Sequence, residues 1–280
     1  MKSLLIGLAV SLVYALIIQL TRPDVPFSQN QYQANMIFAQ EFIYLEEKPS
    51  QVIVGSSMAT RMMFEGQDDI YNLAFGGGGP LTGLEIIRRS GYLPKTIYIE
   101  SNVFTMKVDK AFIDALFTPV LFELRSKIVA LQEKYQLLNL VGSLLYTYAG
   151  RSKKELLEQK VDVKLLDKLV ETALVSRNKL VINEEEAFLN TWKNEIQYFI
   201  EHGTQIVFFE MPIDPRLAAS QQQKQLRYLI ASTFPGVDYI LQDNLDGLYE
   251  TSDGLHLTLR SAEAFTERFK HVIMYSSVDR

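Results

Sequence analysis

The 280-residue chain contains no cysteine. That absence excludes a disulfide framework, a thiolate nucleophile, cysteine-ligated zinc, an iron–sulfur cluster and a cysteine-linked lipid anchor, and it leaves the compartment open. Histidine is scarce as well, with three residues, so any imidazole chemistry falls on His202, His256 or His271. Cations are neither in excess nor clustered: 28 Lys and Arg face 33 Asp and Glu, a net charge of −5. Nucleic-acid binding needs clustered positive charge to displace condensed counterions, so no nucleic-acid partner is expected. There is no internal repeat and no low-complexity tract. What is present, 48% hydrophobic and 22% charged residues, is ordinary globular composition.

The charge is uneven. Residues 1–23 hold no acid and only two cations, Lys2 and Arg22; setting those two aside takes the net charge from −5 to −7 for the rest. From Leu4 to Leu20 the sequence runs uncharged for seventeen residues. As a helix that stretch is about 26 Å long at ~1.5 Å per residue, close to a bilayer core of roughly 30 Å. It is apolar on every face, which fits lipid better than a core helix. No small-x-small cleavage site precedes Arg22-Pro23-Asp24, so residues 1–22 read as an uncleaved transmembrane signal anchor in preference to a cleaved signal peptide. Lys2 and the amino terminus against Arg22 put the short N-terminus in the cytoplasm and the remaining chain outside. The expectation is a single-pass protein of the cytoplasmic membrane with a periplasmic or extracellular domain.

Residues 23–50 read as a membrane-proximal helical stalk, with one amphipathic helix from about Ser28 to Leu45. From Gln51 short apolar runs alternate with helical stretches, the pattern of a parallel sheet with crossover helices. Strands are expected at 51–54, 70–73, 96–100, 205–210 and 238–241, and helices at 81–90, 187–202, 215–233 and 259–275. The fold class is therefore α/β, one domain over 51–280. A mostly helical segment, about 109–186, shows no clear strand and reads as an insertion at the sheet edge or a cap.

The candidates for chemistry fall at the C-terminal ends of these strands, where open α/β sheets place their sites. The first strand runs into Gly55-Ser56-Ser57. A serine at a strand-to-helix junction presents its hydroxyl at the sheet rim and its own N–H at a helix start, both useful in acyl transfer, although Gly-Ser-Ser also serves as a plain turn and N-cap. Before the last helix comes Asp253-Gly254-Leu255-His256. An aspartate three residues ahead of a histidine can accept one imidazole N–H and so free the other nitrogen to act as a base. His202, at a helix end, and His271, inside the last helix, read as structural. The second strand ends in Gly76 and Gly77, the third in Glu100-Ser101-Asn102. A phosphate loop is not formed, because no Gly-Lys-Ser/Thr follows the glycine run. No metal and no cofactor are expected, since neither a second histidine nor a carboxylate pair stands at ligand spacing beside His256.

Gly55-Ser56-Ser57, Gly77, Asn102 and Asp253-Gly254-Leu255-His256, in that order, resemble the four sequence blocks of the SGNH superfamily, the GDSL-type serine esterases. The resemblance spans about Gln51 to Tyr275, apart from the helical insertion. It implies a three-layer α/β/α, flavodoxin-like fold with Ser57 as nucleophile, and with His256 and Asp253 completing a triad. It also implies an oxyanion hole made of the Ser57 and Gly77 amides and the Asn102 side chain. Two departures stand out: Ser56 replaces the usual aspartate before the nucleophile, and Glu100-Ser101-Asn102-Val103 replaces Gly-x-Asn-Asp. With an N-terminal anchor, the pattern is similar to the membrane-tethered members that O-acetylate polysaccharides or D-alanylate teichoic acid. The implied function is a serine acyl esterase or O-acyltransferase taking an acyl ester donor and an envelope glycan, with a membrane-bound acyl-transfer protein as a further partner. The alternative is a tethered scaffold or binding protein without turnover. Arg61 reads as a surface or packing arginine that could also face an anionic glycan; Glu210 is assigned no role.

Overall fold

A computed structural model describes residues 2–64, 69–149, 161–179, 186–240 and 247–278. Its centre is a five-stranded, wholly parallel sheet of β1 (Gln51–Gly55), β2 (Ile70–Ala74), β3 (Thr96–Glu100), β4 (Gln205–Phe209) and β5 (Asp238–Ile240), in the spatial order β2-β1-β3-β4-β5. Eleven helices accompany it among the described residues: α1 (Lys2–Thr21), α2 (Gln31–Tyr44), α3 (Pro80–Ser90), α4 (Lys110–Leu116), α5 (Pro119–Lys127), α6 (Leu137–Ala149), α7 (Val163–Arg177), α8 (Glu186–Glu201), α9 (Pro215–Ala218), α10 (Gln221–Thr233) and α11 (Leu259–Val278).

The strands read as near-continuous apolar runs because both faces are covered, as parallel sheets require. Alternate side chains show it. Tyr98 and Phe209 pack on Phe269 of α11. The intervening Phe208 points the other way, to Trp192 of α8 and to Phe234. Helix α3 lies so close to β1 that a Cβ on Gly83 would stand 2.6 Å from Val54 Cγ1.

The strand boundaries agree with the sequence pattern within a residue; position 241 lies outside the described residues. The single helix expected over 215–233 is broken. Ser220 adopts an extended conformation and caps α10 by accepting the Gln223 N–H, so α9 and α10 are separate elements.

The chain divides into two compact units, 1–46 with 109–151, and 47–108 with 152–280. The segment expected as one insertion over about 109–186 is thus split, and its first part groups with the N-terminal helices. Residues 150–160 and 180–185 of it lie outside the described residues.

In the first unit α1 is long and apolar enough to cross a membrane, and it is almost entirely exposed. Its Tyr14 hydroxyl donates to the Tyr135 carbonyl, and Ile18 packs with Val129 and Tyr135. Asn30 caps α2 by accepting the Gln33 N–H at 2.9 Å.

In the second unit one hydrophobic core joins β1, β3 and β4 to α11 and to Val170, Leu166, Ala173 and Leu174 of α7.

Candidate active site

The sheet order places the site. β2 and β3 flank β1 in register, Gly55 opposite Ala74 and Val54 opposite Ile99, so the segments after these three strands share one rim. Ser57, Gly77 and Asn102 all lie there. Between β1 and β3 the strand order reverses direction, the position at which doubly wound sheets open a crevice.

Beyond β1 the chain makes a tight turn into a single 3₁₀ turn, Ala59–Arg61, in place of a full helix. Ser56 is buried there and Ser57 partly exposed. The Ser56 hydroxyl donates to Glu100 at 2.9 Å and the Ser56 N–H donates to Glu100 Oε2 at 2.7 Å. The Ser57 side chain points to the opposite end of the sequence: its Oγ lies 2.8 Å from His256 Nε2, although the two residues are 199 positions apart. The adjacent serines therefore have different partners, one a buried carboxyl and the other an imidazole.

His256 is presented by a loop closed at its base by the Thr251–Leu257 bridge and by the Ser252 N–H donating to the His256 carbonyl at 2.8 Å. Within it Asp253 uses its two oxygens differently. Oδ1 accepts the backbone N–H groups of Leu255 and His256, at 2.9 and 2.8 Å; Oδ2 meets His256 Nδ1 at 2.7 Å. The three-residue spacing works because this Asx-type turn folds the ring back over the carboxylate. Burial acts to raise the Asp253 carboxyl, but the hydrogen bonds from the His256 ring and from the two amides outweigh it and hold the group well below the usual carboxylate range. An ionised carboxylate can only accept, so Nδ1 carries the ring proton and Nε2 presents its lone pair to the Ser57 hydroxyl.

The loop depends on Gly254, whose φ of +93° suits glycine, and where a Cβ would come within 2.7 Å of Val170 Cγ2. The Gly254 carbonyl accepts the Asp214 N–H at 2.8 Å. Asp214 in turn holds Arg216, which reaches Asp167 of α7 at 2.9 Å. Helix α7 thus buttresses the histidine loop, a role that no local sequence signal announced.

For the three expected oxyanion donors the surroundings differ. The N–H groups of Ser57 and Gly77 have no acceptor among the described residues. The Asn102 side chain is buried and paired both ways with Met211: its Nδ2 donates to the Met211 carbonyl at 3.0 Å, and its Oδ1 accepts the Met211 N–H at 2.7 Å. One Nδ2 hydrogen remains outside that pair.

Glu100, noticed in the sequence only as a departure from a family pattern, is a fully buried carboxyl. Burial pushes it up to about 7, against the lowering effect of its hydrogen bonds from Ser56 and the Ala59 amide. It braces the turn that carries Ser57, and it explains Gly55, where any Cβ would sit 2.6 Å from Glu100 Oε2. An acid closing the apolar run Thr96–Glu100 on a central strand is the signal that could have flagged it.

Glu210 is structural, gripped by Arg227 and Gln223. His202 bonds the Tyr198 carbonyl through Nδ1, and Arg61 and His271 are exposed. No group of three or more His, Cys, Asp or Glu suited to a metal occurs among the described residues. No family model matches the chain, and no curated protein matches it.

Proposed function

We propose that the protein is a serine acyl esterase or O-acyltransferase of the SGNH type, with the three-layer α/β/α fold of that superfamily, tethered to the membrane by α1 and acting outside the cytoplasm on ester groups of an envelope polysaccharide. The observation that carries this reading is the continuous relay Ser57 Oγ, His256 Nε2, His256 Nδ1, Asp253 Oδ2, with contacts of 2.8 and 2.7 Å.

In the first half-reaction His256 Nε2 takes the Ser57 hydroxyl proton while Oγ attacks the ester carbonyl. Negative charge gathers on the carbonyl oxygen, to which the Ser57 and Gly77 amides and the remaining Asn102 hydrogen would donate. Asp253, kept ionised, stabilises the imidazolium. The imidazolium then gives its proton to the departing alkoxide, the C–O bond breaks, and an acyl-serine remains. In the second half-reaction His256 deprotonates water or a glycan hydroxyl, which attacks the acyl-serine; the proton returns to Ser57. The same groups serve hydrolysis and transfer, so the two outcomes differ only in which hydroxyl occupies the crevice. Substrate class rests on the membrane tether and on the motif resemblance.

The test has two steps. A fluorophosphonate probe should label Ser57 in the full chain, and labelling should vanish in His256→Ala. Labelled enzyme should then fail to change the acyl content, read by mass spectrometry, of envelope glycans that unlabelled enzyme modifies. A chain that neither labels nor turns over any ester is a scaffold, and the enzymatic reading falls.

A further inference from the structure

In α6 the residue types are inverted relative to a water-soluble helix. Over Leu137–Leu145, the part of α6 whose side chains are described, the buried positions are Asn139 and Ser143, with Gly142 beside them. These face the segment after α1: Asn139 Oδ1 accepts from Gln29 Nε2 at 3.3 Å, Ser143 Oγ accepts the Phe27 N–H at 3.1 Å, and Gly142 lets the Phe27 ring lie where a Cβ would stand. The opposite face carries Leu137, Leu138, Val141, Leu144 and Leu145, which are 54 to 73% exposed. At ~100° per residue those five fall within an arc of about 120°, one continuous apolar stripe. A helix that packs its polar and small residues inward and turns its leucines outward is built for an apolar surrounding, because lipid, unlike water, makes interior packing by small and hydrogen-bonding residues the favourable arrangement.

The fold supplies the depth. Helix α6 and the two 3₁₀ turns before it, Val129–Leu131 and Glu133–Tyr135, belong to the same compact unit as α1. Contact with α1 occurs along its C-terminal part: Tyr14 bonds the Tyr135 carbonyl, the Val129 N–H donates to Gln19 Oε1, and Ile18 and Leu140 share one small core. Tyr14 lies seven residues before Thr21, the end of α1. That is about 10 Å along the axis at ~1.5 Å per residue, matching the roughly 5–10 Å to which interfacial helices sink. Leu131, in the turn that touches α1, is exposed too.

We infer that α6 is an interfacial helix: its Leu137–Leu145 stripe lies in the outer half of the bilayer that α1 spans, so that residues 109–149 form a membrane-seated platform. The inference rests on the reading of α1 as a membrane span. The occupant of the stripe is lipid, because α6 is tied through the core of Ile18 and Leu140 to α1, whose Leu8, Leu12 and Leu16 are likewise exposed, and because the polar groups of α6 named above are satisfied on its inward side.

The natural absence of cysteine makes the test direct. Single cysteines at Val141, Leu145, Leu12 of α1 and Lys164 of α7 are spin-labelled in the full chain, which is reconstituted in phosphatidylethanolamine and phosphatidylglycerol vesicles. Collision with oxygen is then compared with collision with a water-soluble nickel chelate. Labels at Val141 and Leu145 should favour oxygen several-fold over the label at Lys164, as should Leu12. If Leu12 favours oxygen while Val141 and Leu145 collide with nickel as Lys164 does, α6 lies in water and the inference fails with the anchor intact. If Leu12 also meets nickel, the anchor reading itself has failed. Shielding of Val141 and Leu145 from both colliders would mean that a second copy of the chain covers the stripe, and would overturn the assignment to lipid.

Discussion

The two units of this chain use the same kinds of residue in opposite ways. Around the sheet, Ile53, Phe208, Phe209 and Trp192 are inside, and Ser57, Asp253 and His256 are partly exposed. In the other unit, Asn139 and Ser143 are inside and the leucines of α6 are outside. The physical rule is common to both: each helix turns toward its surroundings the side chains those surroundings solvate, and satisfies the rest internally. The contrast also separates tasks. Everything argued to perform chemistry belongs to residues 47–108 and 152–280, and everything argued to meet lipid belongs to residues 1–46 and 109–151.

The sharpest way to break this division is at Ser57, the proposed nucleophile. Ser57→Ala should lower turnover of a small activated ester by about 10³-fold or more. Ser56→Ala, which removes a hydroxyl bound to Glu100, should retain most activity and cost about 1 kcal/mol of stability. Loss of turnover in the Ser56 variant alone would transfer the role to the buried serine.

Next comes Asp253, the carboxylate proposed to orient His256. Asp253→Asn keeps an oxygen for the Leu255 and His256 amides, so circular dichroism should be unchanged. Yet an amide N–H facing Nδ1 favours the wrong tautomer, and kcat should fall on the order of 10³-fold. A rate within a few-fold of the parent would show that His256 needs no orientation.

A third prediction concerns pH. Glu100, ordinarily near 4.5, stands at about 7 in the fold. Its contribution to stability is therefore complete below about 4.5 and is lost as the pH rises through about 7. In detergent, Glu100→Gln should flatten the fall in Tm of the full chain between about pH 5 and about pH 8. Parallel curves for parent and variant would mean that Glu100 does not titrate in that window.

The smallest effect tests the other unit. In Gly142→Ala the new Cβ would meet the Phe27 ring at 2.3 Å. Limited proteolysis should become faster within residues 109–149, with a cost of about 1–3 kcal/mol from overpacking, while kcat/KM for a small soluble ester stays unchanged. A fall in that rate would join what the comparison separates.

Much of the sheet was legible because its strands are short apolar runs bounded by turns, and Glu100 at the end of β3 was legible as a residue though not as a brace. The broken helix at Ser220 was not, since one serine in a helical stretch serves equally as a surface position or as a cap. Nor was the split of the 109–186 segment, because both parts are helical in pattern and only their contacts differ.

Sequence alone determined the apolar span at Leu4 to Leu20 and the β-strand and helix alternation from Gln51, and it singled out Ser57, Asp253 and His256 as candidates, all of which depend on local composition and short spacing. The meeting of Ser57 with His256 across 199 positions, the diversion of Ser56 to Glu100, the pairing of Asn102 with Met211 and the outward turn of the α6 leucines were decided by tertiary structure. Each depends on which surface a distant segment happens to cover, and neither hydrophobic period nor local spacing carries that information.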